Sequence, residues 1–156
     1  MGSILKGKIL DTAIMNGVSV VTSSSQNKRA GCTVSWFAQV SFSPVLIMIS
    51  LSSARHTYSL ITKSNIFNVN VLSDTQLDIA RHFGLISGRT TDKFEKITCI
   101  LGKNNAPVLP EVKALFECRV VHTYQAGDHD LFIGEVTSFT EDAAKKPLLF
   151  RGADYW

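Results

Sequence analysis

Strand-like runs follow one another along this chain too closely for a helix to be fitted after each of them. Val18-Ser19-Val20-Val21-Thr22-Ser23 is short and β-branched, and a polar turn, Ser24-Ser25-Gln26-Asn27, ends it. Residues 31–42 form a longer segment of Val, Thr and aromatic residues closed by Ser43-Pro44. Val45–Leu51 is a nearly continuous apolar run of strand length, which predicts burial on both faces. Further strand candidates are residues 67–72, 96–101, 114–123 and 129–139. Helical signals are fewer. Residues 3–16 are closed by Gly17, and residues 53–64 follow straight from the apolar strand. Residues 74–86 carry the clearest pattern, with Ser73 and Gln76 in an S-x-x-Q capping box and Ile79, Phe83 and Ile86 at helical spacing. A parallel doubly wound sheet needs a crossover helix after nearly every strand. The chain therefore reads as mainly β, an antiparallel sheet or small barrel with a few flanking helices.

Length and composition agree with that reading. The chain has 156 residues, and no repeat, low-complexity stretch or linker divides it, so residues 1–156 are expected to form a single domain. A chain of this size buries on the order of 70% of its unfolded surface, so its core needs no staple. Hydrophobic residues make up 45% and the net charge is +3, which excludes disorder. The longest apolar stretch, Val45–Leu51, is broken by Ser50 and falls far short of the roughly 20 residues a spanning helix needs. The N-terminus, MGSILKGKILD, lacks the long apolar region of a secretory signal, which predicts a cytoplasmic protein. Cys32, Cys99 and Cys118 are odd in number and widely spaced, arguing against a disulfide framework. With no CxxC or HxxxH pair, no metal site is expected. Lys28-Arg29 and Lys145-Lys146 are too little for a nucleic-acid-binding face.

Four segments carry residues suited to chemistry. In Leu51-Ser52-Ser53-Ala54-Arg55-His56-Thr57, a strand gives way to a helix. Unpaired amides and a positive partial charge suit a helix start to an anion, and Ser52, Ser53, Thr57 and Arg55 could add to it. Ser53 reads equally well as a plain cap. The loop Ser87-Gly88-Arg89-Thr90-Thr91-Asp92-Lys93 offers two cations, hydroxyls and a glycine to a phosphate, though many surface loops share that composition. In Arg29-Ala30-Gly31-Cys32-Thr33-Val34-Ser35-Trp36, Gly31 permits close approach to the backbone, and a strand edge would offer amides to a planar heterocycle. Cys32 fits a buried, inert thiol, and Trp36 fits the core, as readily as any role in a site. In Gly127-Asp128-His129-Asp130, His129 opens a strand at the sheet's rim, where it is either a solvated strand end or a hydrogen-bonding group for a ligand. No Ser-His-Asp set, Walker loop or GxGxxG loop is present.

Taken in order, these segments resemble the flavin reductase-like, FMN-binding split β-barrel family. The resemblance runs through Gly17-Val18, Gly31-Cys32-Thr33-Val34-Ser35, Val40-Ser41-Phe42-Ser43-Pro44, Phe67-Asn68-Val69-Asn70-Val71-Leu72 and Ala106-Pro107-Val108-Leu109. It ends in Glu117-Cys118, Gly127-Asp128-His129 through Gly134-Glu135-Val136, and Pro147-Leu148-Leu149-Phe150. It implies a six-stranded antiparallel Greek-key split β-barrel, a homodimer, and FMN or FAD as cofactor with NADH or NADPH as co-substrate. Carried over by position, Arg29, Ala30, Gly31, Cys32, Thr33, Val34, Ser35 and Trp36 would border the flavin ring. Ser52, Ser53 and Thr57 would hold the phosphate, with Ser87, Arg89 and Lys93 in the loop that closes over it. His129 would face the nicotinamide side as the catalytic residue, and Tyr155 would sit near the same pocket. Free flavin, ferric iron, a monooxygenase or another redox protein would accept the electrons. The sequence departs from the family at Ser35-Trp36, where many relatives carry Asn-Thr or Asn-Ser, and at Val45, where they carry a second proline.

The reading that follows is an NAD(P)H-dependent flavin reductase. The alternatives are an FMN-containing electron-transfer protein or module without efficient NAD(P)H chemistry, favoured if Trp36 or Tyr155-Trp156 blocks the nicotinamide space, and a non-catalytic ligand-binding module.

Overall fold

The computed structural model describes residues 13–155, so most of the helix expected over residues 3–16 lies outside the described residues; Ile14 to Asn16 are not helical. Strands β1 (Ser19–Ser25) and β2 (Lys28–Val34) form a hairpin closed by Gln26 and Asn27 at φ 51° and 61°. Two successive positive φ angles give a turn that matches the twist of its strands, and asparagine tolerates that conformation. Next come β3 (Phe37–Phe42), β4 (Val45–Leu51), α1 (His56–Ser64), β5 (Ile66–Val71) and α2 (Leu77–Leu85). The two-residue strands β6 (Ile100–Leu101) and β7 (Pro107–Val108) precede the long hairpin of β8 (Ala114–Ala126) and β9 (His129–Glu141).

Seven strands make one sheet in the order β2-β1-β5-β8-β9-β4-β3, antiparallel throughout, and β6 pairs with β7 separately. The mainly β, antiparallel reading holds, with two helices among the elements named. No ladder joins β2 to β3, so the sheet is not closed. Val34 of β2, Phe67 of β5, Phe132 of β9 and Ile49 of β4 nevertheless share one apolar cluster, which requires the sheet to curl around it. A second cluster, with Val18, Val20, Leu72, Phe83, Phe94 and Leu109, seats α2 and the following loop against the back of β1.

Five local expectations need correction. The segment over residues 31–42 is two strands, because Ser35-Trp36 leaves the β1 ladder before pairing with β4 begins. Val45–Leu51 is buried on one face only: Ile47, Ile49 and Leu51 face the core while Leu46, Met48 and Ser50 are half-buried. Alternation along a pleated strand hides here behind an apolar sequence, as it does when the outer face is also meant to be covered. The candidate over residues 96–101 contributes only Ile100–Leu101. Helix α1 begins at His56 rather than at residue 53, because Ser52, Ser53 and Ala54 form a turn in which Arg55 N–H donates to Ser52 O at 3.0 Å. The capping box before α2 is half formed, with Ser73 N–H donating to Gln76 Oε1 at 3.0 Å while Ser73 Oγ lies 3.1 Å from Thr75 Oγ1.

Away from those edges, the loop carrying β7 hangs from buried side chains of β5. Asn70 Nδ2 donates to Val20 O at 3.0 Å, and its Oδ1 accepts from Leu109 N–H at 2.9 Å. Asn68 Nδ2 donates to Ala106 O at 3.2 Å, and Asn104 Nδ2 donates to Asn68 Oδ1 at 2.7 Å. Buried amides are tolerable when bonded in this way.

Candidate functional site

The break at Ser35-Trp36 creates the first part of the site. Trp36 O accepts from Ser50 N–H at 2.9 Å, so the chain crosses from the end of β2 toward the end of β4. Thr33, Val34, Ser35, Trp36, Ser52 and His129 line a groove of about 270 Å³, with Tyr155 and Phe150 at its side. The N–H groups of Ser35 and Trp36 lie outside both ladders. His129 stands at the rim, its ring centroid 5.1 Å from that of Trp36. Its Nδ1 donates to Asp128 Oδ1 at 2.7 Å, which holds the Asp128 carboxyl below its usual range and leaves Nε2 as the free ring nitrogen. Tyr58 OH donates to Asp130 Oδ2 at 2.6 Å, fastening α1 to the start of β9 beside this histidine.

A second groove of about 160 Å³ continues from the first through the shared residues Arg55, Gly84 and Leu85. Cys32, Thr57, Ser87 and Arg89 line it, and it opens on the start of α1. Arg55 occupies the N-cap position with no side-chain hydrogen bond to the helix, and the first turn contains no acidic residue. The helix start thus keeps amide donors and a positive partial charge facing this groove. Arg89 Nε and Nη2 each donate to Ala54 O at 3.2 Å, so the guanidinium bridges the loop after α2 and the turn before α1. His56 feels the result: burial, then the charges of Arg89, Lys28, Lys63 and Lys93, hold its pKa below the usual value.

The remaining predicted residues divide. Arg29, Ala30 and Gly31 face a third groove rather than the first. The atoms that need Gly31 to lack a Cβ are the Phe83 and Phe94 rings, 3.0 and 3.1 Å from where a Cβ would stand. That glycine makes room for core packing, where close approach by a ligand was expected. Lys93 borders the second and third grooves but is only 5% exposed, and its Nζ donates to Gly31 O at 3.0 Å and Phe83 O at 2.8 Å. Those two carbonyls take up the ammonium expected to close over a phosphate, and burial lowers its pKa. Thr57 is 1% exposed and its hydroxyl bonds the Cys32 thiol, whose pKa burial raises. Ser53 is exposed and lines none of the three grooves. Tyr155 is buried against Phe150, their rings stacked at 5.2 Å, beside the first groove.

Sequence reasoning missed Gly84 and Leu85, which join the first two grooves. One signal was available. A glycine inside a helix costs about 1 kcal/mol against alanine, and Gly84 is where Thr33 presses closest, 3.3 Å from the position of a Cβ. Among the described residues, no cluster of His, Cys, Asp and Glu suits a metal ion, and no helix is long and apolar enough to cross a membrane.

The chain matches the flavin reductase like domain over residues 12–155. It is 36% identical over 128 residues to a probable flavin reductase of Rhizobium meliloti (strain 1021), covering 81% of this chain and 40% of that protein. It is 30% identical over 142 residues to the reductase component of a flavin-dependent trigonelline monooxygenase of Acinetobacter baylyi, covering 90% of this chain and 45% of that protein. The chain therefore spans less than half the length of these two relatives. Among solved structures, an NADH:FAD oxidoreductase of Streptomyces globisporus C-1027, in complex with NAD and FAD fragments, superposes with a TM-score of 0.83 at 34% identity. That match covers 89% of this chain and 82% of the other. Ordered motifs, curled sheet and near-complete sequence match agree, and the chain belongs to the flavin reductase-like family.

Proposed function

We propose that this protein is an oxidoreductase that takes hydride from NADH or NADPH onto bound FMN or FAD. The observation that carries the reading is one continuous recess: a groove edged by main-chain groups, with His129 at its mouth, runs into a cationic corner at an uncapped helix start. A planar ring bearing a phosphorylated tail has this shape and charge order, so the residues present fit a flavin. The flavin, when bound, supplies the electron chemistry. The chain supplies the rest. Ser35 and Trp36 N–H groups orient the ring edge, the α1 start with Arg55 and Arg89 binds the phosphate, and Tyr155 with Phe150 walls off water. His129, held through Nδ1 by Asp128, offers Nε2 to the nicotinamide carboxamide.

The finer assembly belongs to the same reading. Strands from both edges share one core, which supports a six-stranded Greek-key split barrel with β3 as an added edge. Phe42 is 89% exposed, and Val40 on β3 and Val45, which pairs with Phe42 from β4, are exposed as well. An uncovered apolar edge of this kind suits a second copy of the chain, so we read the protein as a homodimer. Three free thiols support a reducing, cytoplasmic setting. We read residues 1–156 as one flavin-binding domain, with free flavin, a monooxygenase, ferric iron or another redox protein as electron acceptor.

One observation favours a second reading, an FMN-containing electron carrier without efficient nicotinamide chemistry. Trp36 packs on His129 where the nicotinamide would arrive. Anaerobic mixing separates the two. The reductase reading expects NADH or NADPH to bleach the bound flavin, and His129→Ala to slow single-turnover bleaching at least about tenfold with flavin still bound. Bleaching by dithionite but by neither nucleotide selects the carrier.

A further inference from the structure

We infer that Trp36 is a movable cover on the co-substrate seat: its indole rests on His129 while the seat is empty, and nicotinamide binds by taking its place. The inference rests on the reductase reading above and adds the residue that sets the co-substrate's apparent affinity.

Space is the first argument. The ring groove measures about 270 Å³ with the indole in place. Pockets that enclose a whole drug-sized ligand run to roughly 300–1,000 Å³. The groove therefore has room for one planar ring system and none for a second ring stacked upon it. Hydride transfer needs the two rings in contact, so a wall on the His129 side has to give way.

The second argument is which wall can. Val34 and Leu51 belong to the first apolar cluster, Tyr155 belongs to the second, and Phe150 packs against the second. Moving any of these opens the core. Leu85 is exposed, but it stands at the junction with the phosphate corner, which His129 does not border. Trp36 belongs to neither cluster and is 48% exposed. Its backbone, by contrast, is fixed, with Trp36 O accepting from Ser50 N–H at 2.9 Å. The side chain can thus turn about its own bonds while the main-chain edge of the groove stays where it is.

The contact to be broken is modest. The indole and the imidazole lie 5.1 Å apart, centroid to centroid, with their planes 55° from parallel. Such a pair is worth roughly twofold to tenfold in an equilibrium constant. A nicotinamide offers the imidazole a flat ring and a carboxamide in exchange, which makes the replacement feasible. Each binding event still bears the cost of the contact it breaks, and the covered fraction of molecules lowers the apparent affinity in proportion.

The test reads the indole directly. Wild-type protein labelled with fluorotryptophan and loaded with FMN carries two fluorine labels, at Trp36 and Trp156. The resonance missing from Trp36→Phe is that of Trp36. Titration with NAD+ or NADP+, which fills the seat without delivering hydride, should move it toward its position in His129→Ala, where the indole has no imidazole to rest on. In steady-state assays Trp36→Thr should lower KM for NADH or NADPH by about threefold to tenfold. Trp36→Phe keeps a smaller ring on the imidazole and should lower it by less. A resonance unmoved at nucleotide concentrations that inhibit turnover, or a KM that rises or holds in Trp36→Thr, overturns the inference and makes Trp36 a fixed wall. Bleaching of the bound flavin by NADH or NADPH in Trp36→Thr but not in the wild type also overturns it, since the indole then blocks the seat instead of yielding it. Bleaching by neither nucleotide in either protein overturns the reductase reading, and the inference with it.

Discussion

Two polar regions of this molecule look alike in sequence and behave in opposite ways. Around the β7 loop, Thr22, Asn68, Asn70 and Asn104 bond one another and nearby backbone, Thr22 Oγ1 reaching Pro107 O at 2.5 Å. Around the grooves, the first-turn amides of α1 and the cations Lys28 and Arg55 face open space. The first region satisfies itself and so serves stability. The second leaves donors and positive charge to be met by an anion. A hydroxyl, amide or ammonium says little by its type; where its hydrogen bonds end decides what it is for.

The contrast breaks most visibly at Asn70. Asn70→Ala strands Leu109 N–H in a dry interior, removes a side-chain donor from Val20 O and leaves a small void. The expected loss is about 3 kcal/mol of stability, or a fall of roughly 10 °C in Tm for a chain of this size. Flavin affinity of the folded fraction should hold. A Tm unchanged by Asn70→Ala would dissolve the distinction between the regions.

Lys93 tests the boundary, since family resemblance puts it with the phosphate and its hydrogen bonds put it with the packing. Lys93→Met keeps the aliphatic stem against Phe83 and removes the donors to Gly31 O and Phe83 O. Urea unfolding should show a loss of about 1.5 kcal/mol, with flavin affinity changed less than about threefold. The reverse result, intact stability with lost affinity, would return Lys93 to the site.

Arg89 stands on the open side. Arg89→Ala should weaken flavin binding about tenfold, or ~1.4 kcal/mol. It should leave Tm within about 2 °C, because its protein contact is a single exposed carbonyl, Ala54 O. Titration of flavin fluorescence against a thermal melt of the same preparation reads both.

These outcomes bear on why some of the molecule is legible in its sequence. The β hairpins were readable because their signals are local: Gln26-Asn27 sets a turn, and β-branched runs set strands. The order of the segments along the chain carried the family. What escaped depends on partners distant in sequence. Nothing in Lys93 itself shows that Gly31 and Phe83 carbonyls await its ammonium, and nothing in Gly31 shows that two phenylalanine rings need the space. Helix α1 started late because the Ser52 to Arg55 turn competes for the same residues that would otherwise cap it. Long apolar runs such as Val45–Leu51 also conceal which face is covered, since the deciding fact is what packs on them.

The smallest expected effect comes from His56, where the two regions' logic meets in one titration. Burial and the surrounding cations lower its folded pKa below the value of about 6.5 it has when unfolded. Between those two values the unfolded chain binds more protons than the folded one, so stability rises with pH across that window and is lost as pH falls through it. His56→Gln removes this contribution. Ligand-free wild type and variant should therefore share the same change in stability above about pH 7.5, and the wild type should lose a few tenths of a kcal/mol more on going to about pH 5. The ring is largely solvated, which keeps the effect small. High salt should shrink it further by screening Arg89, Lys28 and Lys63, whereas the penalty from burial is indifferent to salt. A wild-type excess that persists undiminished in about 1 M salt would assign the shift to burial alone and remove the positive field from the account of the site.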